Sequence, residues 1–160
     1  MIRESLFSIL VSLLFLISTT AAAERVAPPT MTGAWQGQAR IIVAWSSQQY
    51  LTLQLNIGTN GHVSGKVGDA TLKNGTLRRN RGHLGRFLRI KTDFIIEGDL
   101  QGPIIASQKI TRKSVKIPLN FDGVQFTGGL HTSGQAIGGQ ARMKLSASQL
   151  TLTRLAEPSL

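Results

Sequence analysis

The chain has 160 residues, no cysteine, and 18 lysines and arginines against 8 aspartates and glutamates, giving a formal net charge of +10. Without cysteine there can be no disulfide framework, no thiolate metal site and no lipid attachment of the lipoprotein type, so stability has to come from sheet closure and core packing. The positive balance suits anionic partners such as lipopolysaccharide, teichoic or nucleic acids, or acidic polysaccharide, and it serves solubility equally well.

Residues 1–23 read as a secretory signal peptide. Arg3 and the amino terminus supply the positive region, Leu6 to Ile17 the apolar run, and Ala21-Ala22-Ala23 the small-residue cleavage site. The run is shorter than the roughly 20 residues a membrane helix needs, and no second run follows, so an exported protein, periplasmic or extracellular, without a transmembrane span is expected. Residues 24–31, with Pro28-Pro29, read as a stiff extended linker. Residues 32–156 then form one domain of a size that buries a single core.

From there the pattern has period two, the mark of half-buried strands. Trp35, Gly37, Ala39, Ile41, Val43 and Trp45 share one face of a first strand. Leu51, Leu53, Leu55 and Ile57 alternate with polar residues in a second, and Gly58-Thr59-Asn60-Gly61 is a hairpin signal leading to His62–Val67. Further strands are expected over Ala70–Leu77, with a turn or bulge at Asn74-Gly75, then over Phe87–Thr92, Phe94–Leu100, weakly over Ile104–Ile110, and over Lys113–Phe121. Pro118 cannot donate to a ladder and so belongs at an edge or a bulge. Asp122-Gly123 is a second hairpin signal, opening Val124–Leu130. Thr132–Gln140, rich in Gly, Ser and Gln, reads as a loop. In the last strand the apolar parity changes between Met143/Leu145 and Leu150/Leu152, so a bulge or tight turn is expected near Ser146–Gln149.

Four strands carry an inward glycine: Trp35-Gln36-Gly37-Gln38-Ala39, Val63-Ser64-Gly65-Lys66-Val67, Ile96-Glu97-Gly98-Asp99-Leu100 and Phe126-Thr127-Gly128-Gly129-Leu130, at about thirty-residue intervals. Such glycines fit either a sharply bent sheet or a thinned interior. No segment beyond the signal peptide keeps helical periodicity. The fold class is therefore all-β, an antiparallel up-and-down barrel of about eight strands, with a β-sandwich as the alternative.

Gly33-Ala34-Trp35 resembles the Gly-x-Trp that opens the first strand of lipocalins and avidin-like proteins. In those families an arginine or lysine of the last strand packs across the tryptophan, and Arg154 in Leu150-Thr151-Leu152-Thr153-Arg154 matches it. The resemblance implies an eight-stranded barrel closed at one end by Trp35 and Arg154 and able to hold one small ligand. A cation over an indole face is a favourable contact in its own right. The chain departs from avidins in having only two tryptophans, so a biotin site is not implied, and from lipocalins in lacking a helical pattern before the last strand.

Two candidate sites follow, neither needing a cofactor or metal. The first is anionic recognition by Arg78, Arg79, Arg81, Arg86 and Arg89, within a stretch that has no acidic residue between Asp69 and Asp93. Guanidinium groups grouped near a turn suit bidentate contacts with phosphate or carboxylate; charges that block edge-to-edge sheet pairing explain them as well. Phe87 alone interleaves them, so nucleic acid is not the favoured anion. The second, which is the functional expectation to which the basic patch stands as the alternative, is a small apolar or amphipathic ligand inside the barrel, lined by Trp35, Leu53, Ile96, Leu119 and Phe126, although small barrels also fill completely with side chains. An enzyme is not expected: His62, His83 and His131 have no metal-ligand spacing, no Gly-x-Ser-x-Gly elbow occurs, and Glu97 and Asp99 read as solvated strand charges. Ile42 and Ile95 are the apolar residues expected on the outer face, too few to fix an oligomeric state.

Overall fold

A computed structural model of the chain describes residues 27–43, 46–80, 92–108, 110–136 and 142–156. Eight strands, β1 (Gly33–Ile41), β2 (Tyr50–Ile57), β3 (His62–Val67), β4 (Ala70–Arg79), β5 (Phe94–Gln101), β6 (Ile110–Phe121), β7 (Gln125–Ala136) and β8 (Arg142–Arg154), follow one another around the sheet. Each is antiparallel to the next, and β8 pairs back onto β1, with Trp35 opposite Arg154, to close an up-and-down barrel. The sandwich alternative is thereby set aside. The signal peptide, Trp45 and most of the Phe87–Thr92 strand lie outside the described residues.

Alternation decides which side chains go in. Leu51, Leu53, Leu55 and Ile57 are buried while Tyr50, Thr52, Gln54 and Asn56 are exposed. On the outside β1 presents Gln36, Gln38 and Arg40, β3 Lys66 and β4 Lys73. An apolar interior inside a polar exterior is the reverse of a lipid-facing barrel, and no helix among the described residues is long and apolar enough to cross a membrane.

Turns form where the sequence carries their chemistry. In the β2–β3 hairpin the Asn60 side chain accepts from the His62 N–H at 3.0 Å and Gly61 takes φ +74°. In the β6–β7 hairpin Asp122 Oδ1 accepts from the N–H groups of Val124 (2.9 Å) and Gln125 (2.8 Å). Those two donors hold the Asp122 carboxyl below its ordinary pKa, the Gln125 amide first. The expected bulges are present: Asn74 (φ 52°) where the β4–β5 register shifts, and Gln149 (φ 53°) where β8 changes parity.

Five expectations need correction. Residues 29–31 of the supposed linker form a 3₁₀ turn that buries Met31, and Ala27 is buried too. β1 ends at Ile41, short of Val43, although the Ile42 N–H still donates to Ser146 O of β8 at 3.0 Å. Ile104–Gln108 is not a strand but a bend that folds back on the barrel, with Ile104 and Ile105 buried, held by Asp69 N–H to Ile104 O (2.9 Å) and Ala106 N–H to Asp69 Oδ2 (2.7 Å). Thr132–Ala136 is strand: pairing to β6 and β8 on both sides overrides the low intrinsic preference of its Gly, Ser and Gln. Pro118 sits at no edge, since the barrel has none; the β6–β7 ladder skips Ile117 and Pro118 instead.

The inward glycines have a definite cause. A Cβ on Gly37 would collide with the Thr151 carbonyl of β8, on Gly65 with the Gln54 carbonyl of β2, and on Gly128 with the Pro118 carbonyl of β6. The space a side chain would take is filled by the neighbouring strand. The glycines thus let the backbones approach and the sheet bend to closure.

Candidate functional site

One end of the barrel is shut by the residues the resemblance singled out. Trp35 is 1 % exposed and donates through Nε1 to Met31 O at 3.0 Å, so the 3₁₀ turn is tied to the indole. Phe126 and Phe121 meet its ring edge-on, with centroids 4.7 and 6.0 Å away. Arg154 Cζ lies 5.1 Å from the Trp35 ring centroid while its Nη2 donates to Thr30 O at 2.6 Å. The guanidinium therefore covers the indole from outside and secures the incoming chain.

The interior residues expected to line a ligand cavity are core. Leu53, Ile96, Leu119 and Phe126 are 0 % exposed and Trp35 1 %. A side chain bordering a void that admits water would show accessible surface there, so these five pack against other protein atoms. Among the described residues, the charged group that burial does reach is Arg112, near the start of β6 at the opposite end, 3 % exposed. Burial pushes its pKa below the ordinary guanidinium value. Alternation from Val115 and Ile117 would turn Arg112 outward; a register shift between Arg112 and Ser114 reverses this, which is why the sequence pattern missed it.

Of the arginine cluster, the structure places Arg78 and Arg79 at the end of β4, both exposed, and Arg81, Arg86 and Arg89 lie outside the described residues. The chain leaves and re-enters through a narrow neck: Asn80 N–H donates to Asp93 O (2.9 Å) and Asn80 Nδ2 to Thr92 Oγ1 (3.1 Å). Arg78 is already engaged. Its Nη2 and Nε reach Glu97 Oε2 at 2.8 and 3.2 Å, while Lys116 Nζ sits 3.0 Å from Glu97 Oε1. Ile95, expected outside, is buried between the register partners Arg78 and Pro118.

This ion triad borders a groove of about 730 Å³ on the outer face. Register builds it: Thr76, Glu97, Lys116, His131 and Ser146 form one row across β4–β8, and Lys73, Asp99 and Ser114 lie in the next, followed across β7 by Lys144. Asn74, turned by its left-handed backbone, donates from Nδ2 to Asp99 Oδ2 at 3.0 Å. His131 Nδ1 lies 3.3 Å from Ser146 Oγ. Buried Thr132 donates to Ser114 O at 2.6 Å and pins the floor. Alternation within one strand does not reveal this row, because its members come from five strands.

The Lys116 ammonium, then the Arg78 guanidinium, hold the Glu97 carboxyl below its ordinary value against the opposing effect of burial. A depressed carboxylate pKa contributes stability that is present above the unfolded-state value and lost as pH falls through the folded one. All three side chains are at least a third exposed, so Glu97→Gln is expected to cost about 1 kcal/mol or less at neutral pH. Urea midpoints at neutral pH and well below the ordinary carboxylate pKa check this. The gap between wild type and variant should close at acid pH, and a gap unchanged by pH would rule out the triad as its origin.

Comparison with protein-family models, with curated proteins and with solved structures returns no match.

Proposed function

We propose that this chain is an exported, non-enzymatic binding protein that engages an anionic polymer of the cell envelope through its outer surface. The observation that carries the reading is the contrast between the two faces of the wall. The five residues expected to line an internal pocket, Trp35, Leu53, Ile96, Leu119 and Phe126, are packed to 0–1 % exposure, while the outside presents a lysine-bearing groove joined through Arg78 to the neck of the arginine-rich segment. A chain with ten more positive than negative charges gathers polyanions by long-range attraction, and binding that releases counterions weakens steeply with salt. Lipopolysaccharide and teichoic acid titrated at low and at physiological salt test it. Affinity should fall with salt and should drop about tenfold or more on combining Arg78→Ala, Arg79→Ala and Arg81→Ala; an unchanged triple variant would refute the role of the arginines.

A second reading, a small amphipathic ligand in the barrel, is favoured by Arg112. This buried cation stands at the end where the Ile104–Ile105 bend covers the barrel, and an amphiphile entering there would bring its anionic head to the guanidinium. Native mass spectrometry of protein purified from its own host separates the readings. A small molecule released on denaturation supports the carrier, and bare protein supports surface binding.

A further inference from the structure

Resting on the surface-binding reading, we infer that the groove across β4–β8 is a saccharide site and that the polymer it takes is an acidic glycan carrying uronate-type carboxylates. The mixture of charges in the groove makes the selection. Lys116 and Lys144 supply cations for a carboxylate, and Lys144 has no salt bridge among the described residues. A polymer that is only an array of anionic acceptors, however, would also face the carboxylates of Glu97 and Asp99 and be repelled. A neutral sugar would avoid that repulsion but leave Lys144 without a counter-charge, Lys116 alone of the two lysines being paired with Glu97. A hexuronate chain satisfies both, because its hydroxyls donate to Asp99 while its carboxylates accept from the lysines.

The rest of the lining agrees with sugar chemistry. Asn74 and Ser146 offer groups that both donate and accept, as ring hydroxyls do. Asp99 is oriented by the Asn74 amide at 3.0 Å, so one acceptor is fixed in advance, and Glu97 is held between Arg78 and Lys116. The groove volume of about 730 Å³ falls in the range of small-molecule sites. No Trp, Tyr or Phe lines it, so each repeat binds weakly and affinity comes from successive repeats of one polymer.

The test titrates the full mature protein with polygalacturonate, polyphosphate and neutral dextran at low salt, using Lys144→Gln and Asp99→Asn. Both positions are exposed strand residues, and matched melting curves confirm that the variants fold. Wild type should bind polygalacturonate more tightly than polyphosphate and leave dextran unbound. Lys144→Gln should weaken polygalacturonate about tenfold. Asp99→Asn is decisive: it should weaken polygalacturonate, which loses an acceptor for its hydroxyls, yet strengthen polyphosphate, which loses a repulsion. If Asp99→Asn strengthens both polymers, the groove senses charge alone and the saccharide site is refuted, with surface binding of anions left standing. The saccharide site is equally refuted, and surface binding equally left standing, if the groove variants change nothing while the arginine triple variant abolishes binding. Wild type that binds neither polyanion overturns the saccharide site and the surface reading together.

Discussion

Trp35→Ala is expected to cost about 3–5 kcal/mol, the range for removing a large buried aromatic, out of the roughly 5–15 kcal/mol that holds a domain of this kind together. The indole contributes in three ways at one end of the barrel. It fills the space against Phe121 and Phe126, donates to Met31 O, and gives Arg154 a face to cover. Truncation leaves a cavity that the barrel wall cannot collapse to fill, because Gly37 and the β1–β8 ladder fix the strands on either side. Trp35→Phe keeps a ring in place but loses the indole N–H, so it should cost about 1–2 kcal/mol. Because Arg154 is exposed, its coupling to Trp35 in a double-mutant cycle should be about 0.5–1 kcal/mol. Urea unfolding of wild type and these variants measures all three values, and a Trp35→Ala cost below about 1 kcal/mol would show that Phe121 and Phe126 close the barrel without it.

What the sequence made legible was whatever two neighbouring strands decide between themselves. Leu51 to Ile57 alternate cleanly because one side of β2 meets the core and the other meets water, and Asn60-Gly61 and Asp122-Gly123 mark hairpins because their side chains and backbones make the turns locally. Trp35 and Arg154 were legible through resemblance, as a pair 119 positions apart that the closing ladder brings into direct register. Misreadings arose where a residue answers to more than its own segment. Thr132–Ala136 has a loop's composition and is held as strand by β6 and β8. Ile104 and Ile105 have a strand's composition and serve instead as an apolar cover latched by Asp69. Arg112 faces the opposite way from its parity because one residue is inserted in the ladder ahead of it.

The groove was invisible for a related reason. Glu97, Lys116, His131 and Ser146 each look like ordinary solvated strand residues, and only the register of successive strand pairs places them side by side. Bulges at Asn74, Lys113 and Gln149 interrupt the β4–β5, β6–β7 and β7–β8 registers while β5–β6 runs without one, and a one-residue slip in any of these pairings would move the partner to the other face. A surface site on a barrel wall is thus written in the bulges as much as in the charged residues.

Gly37→Ala is expected to cost about 3 kcal/mol, at the upper end of what overpacking usually does, although it adds a single methyl group. That methyl would fall on the Thr151 carbonyl and within 3.0 Å of the Leu152 Cα. Both are backbone atoms of β8, so no side chain can swing aside, and relief requires β1 and β8 to part. These two strands form the seam that turns a sheet into a barrel. Parting them exposes two unpaired edges, each a template for another chain. The variant should therefore lose stability and also associate, with a sedimentation profile that shifts to larger species as concentration rises. Gly123→Ala is the control: its φ of +102° is unfavourable for alanine, but nothing lies within 4 Å of the added carbon. It should cost about 1–2 kcal/mol of backbone strain and leave the protein's sedimentation unchanged. If Gly37→Ala instead matches wild type in both urea midpoint and sedimentation, the wall has slack at its seam, and the inward glycines would need an explanation other than closure.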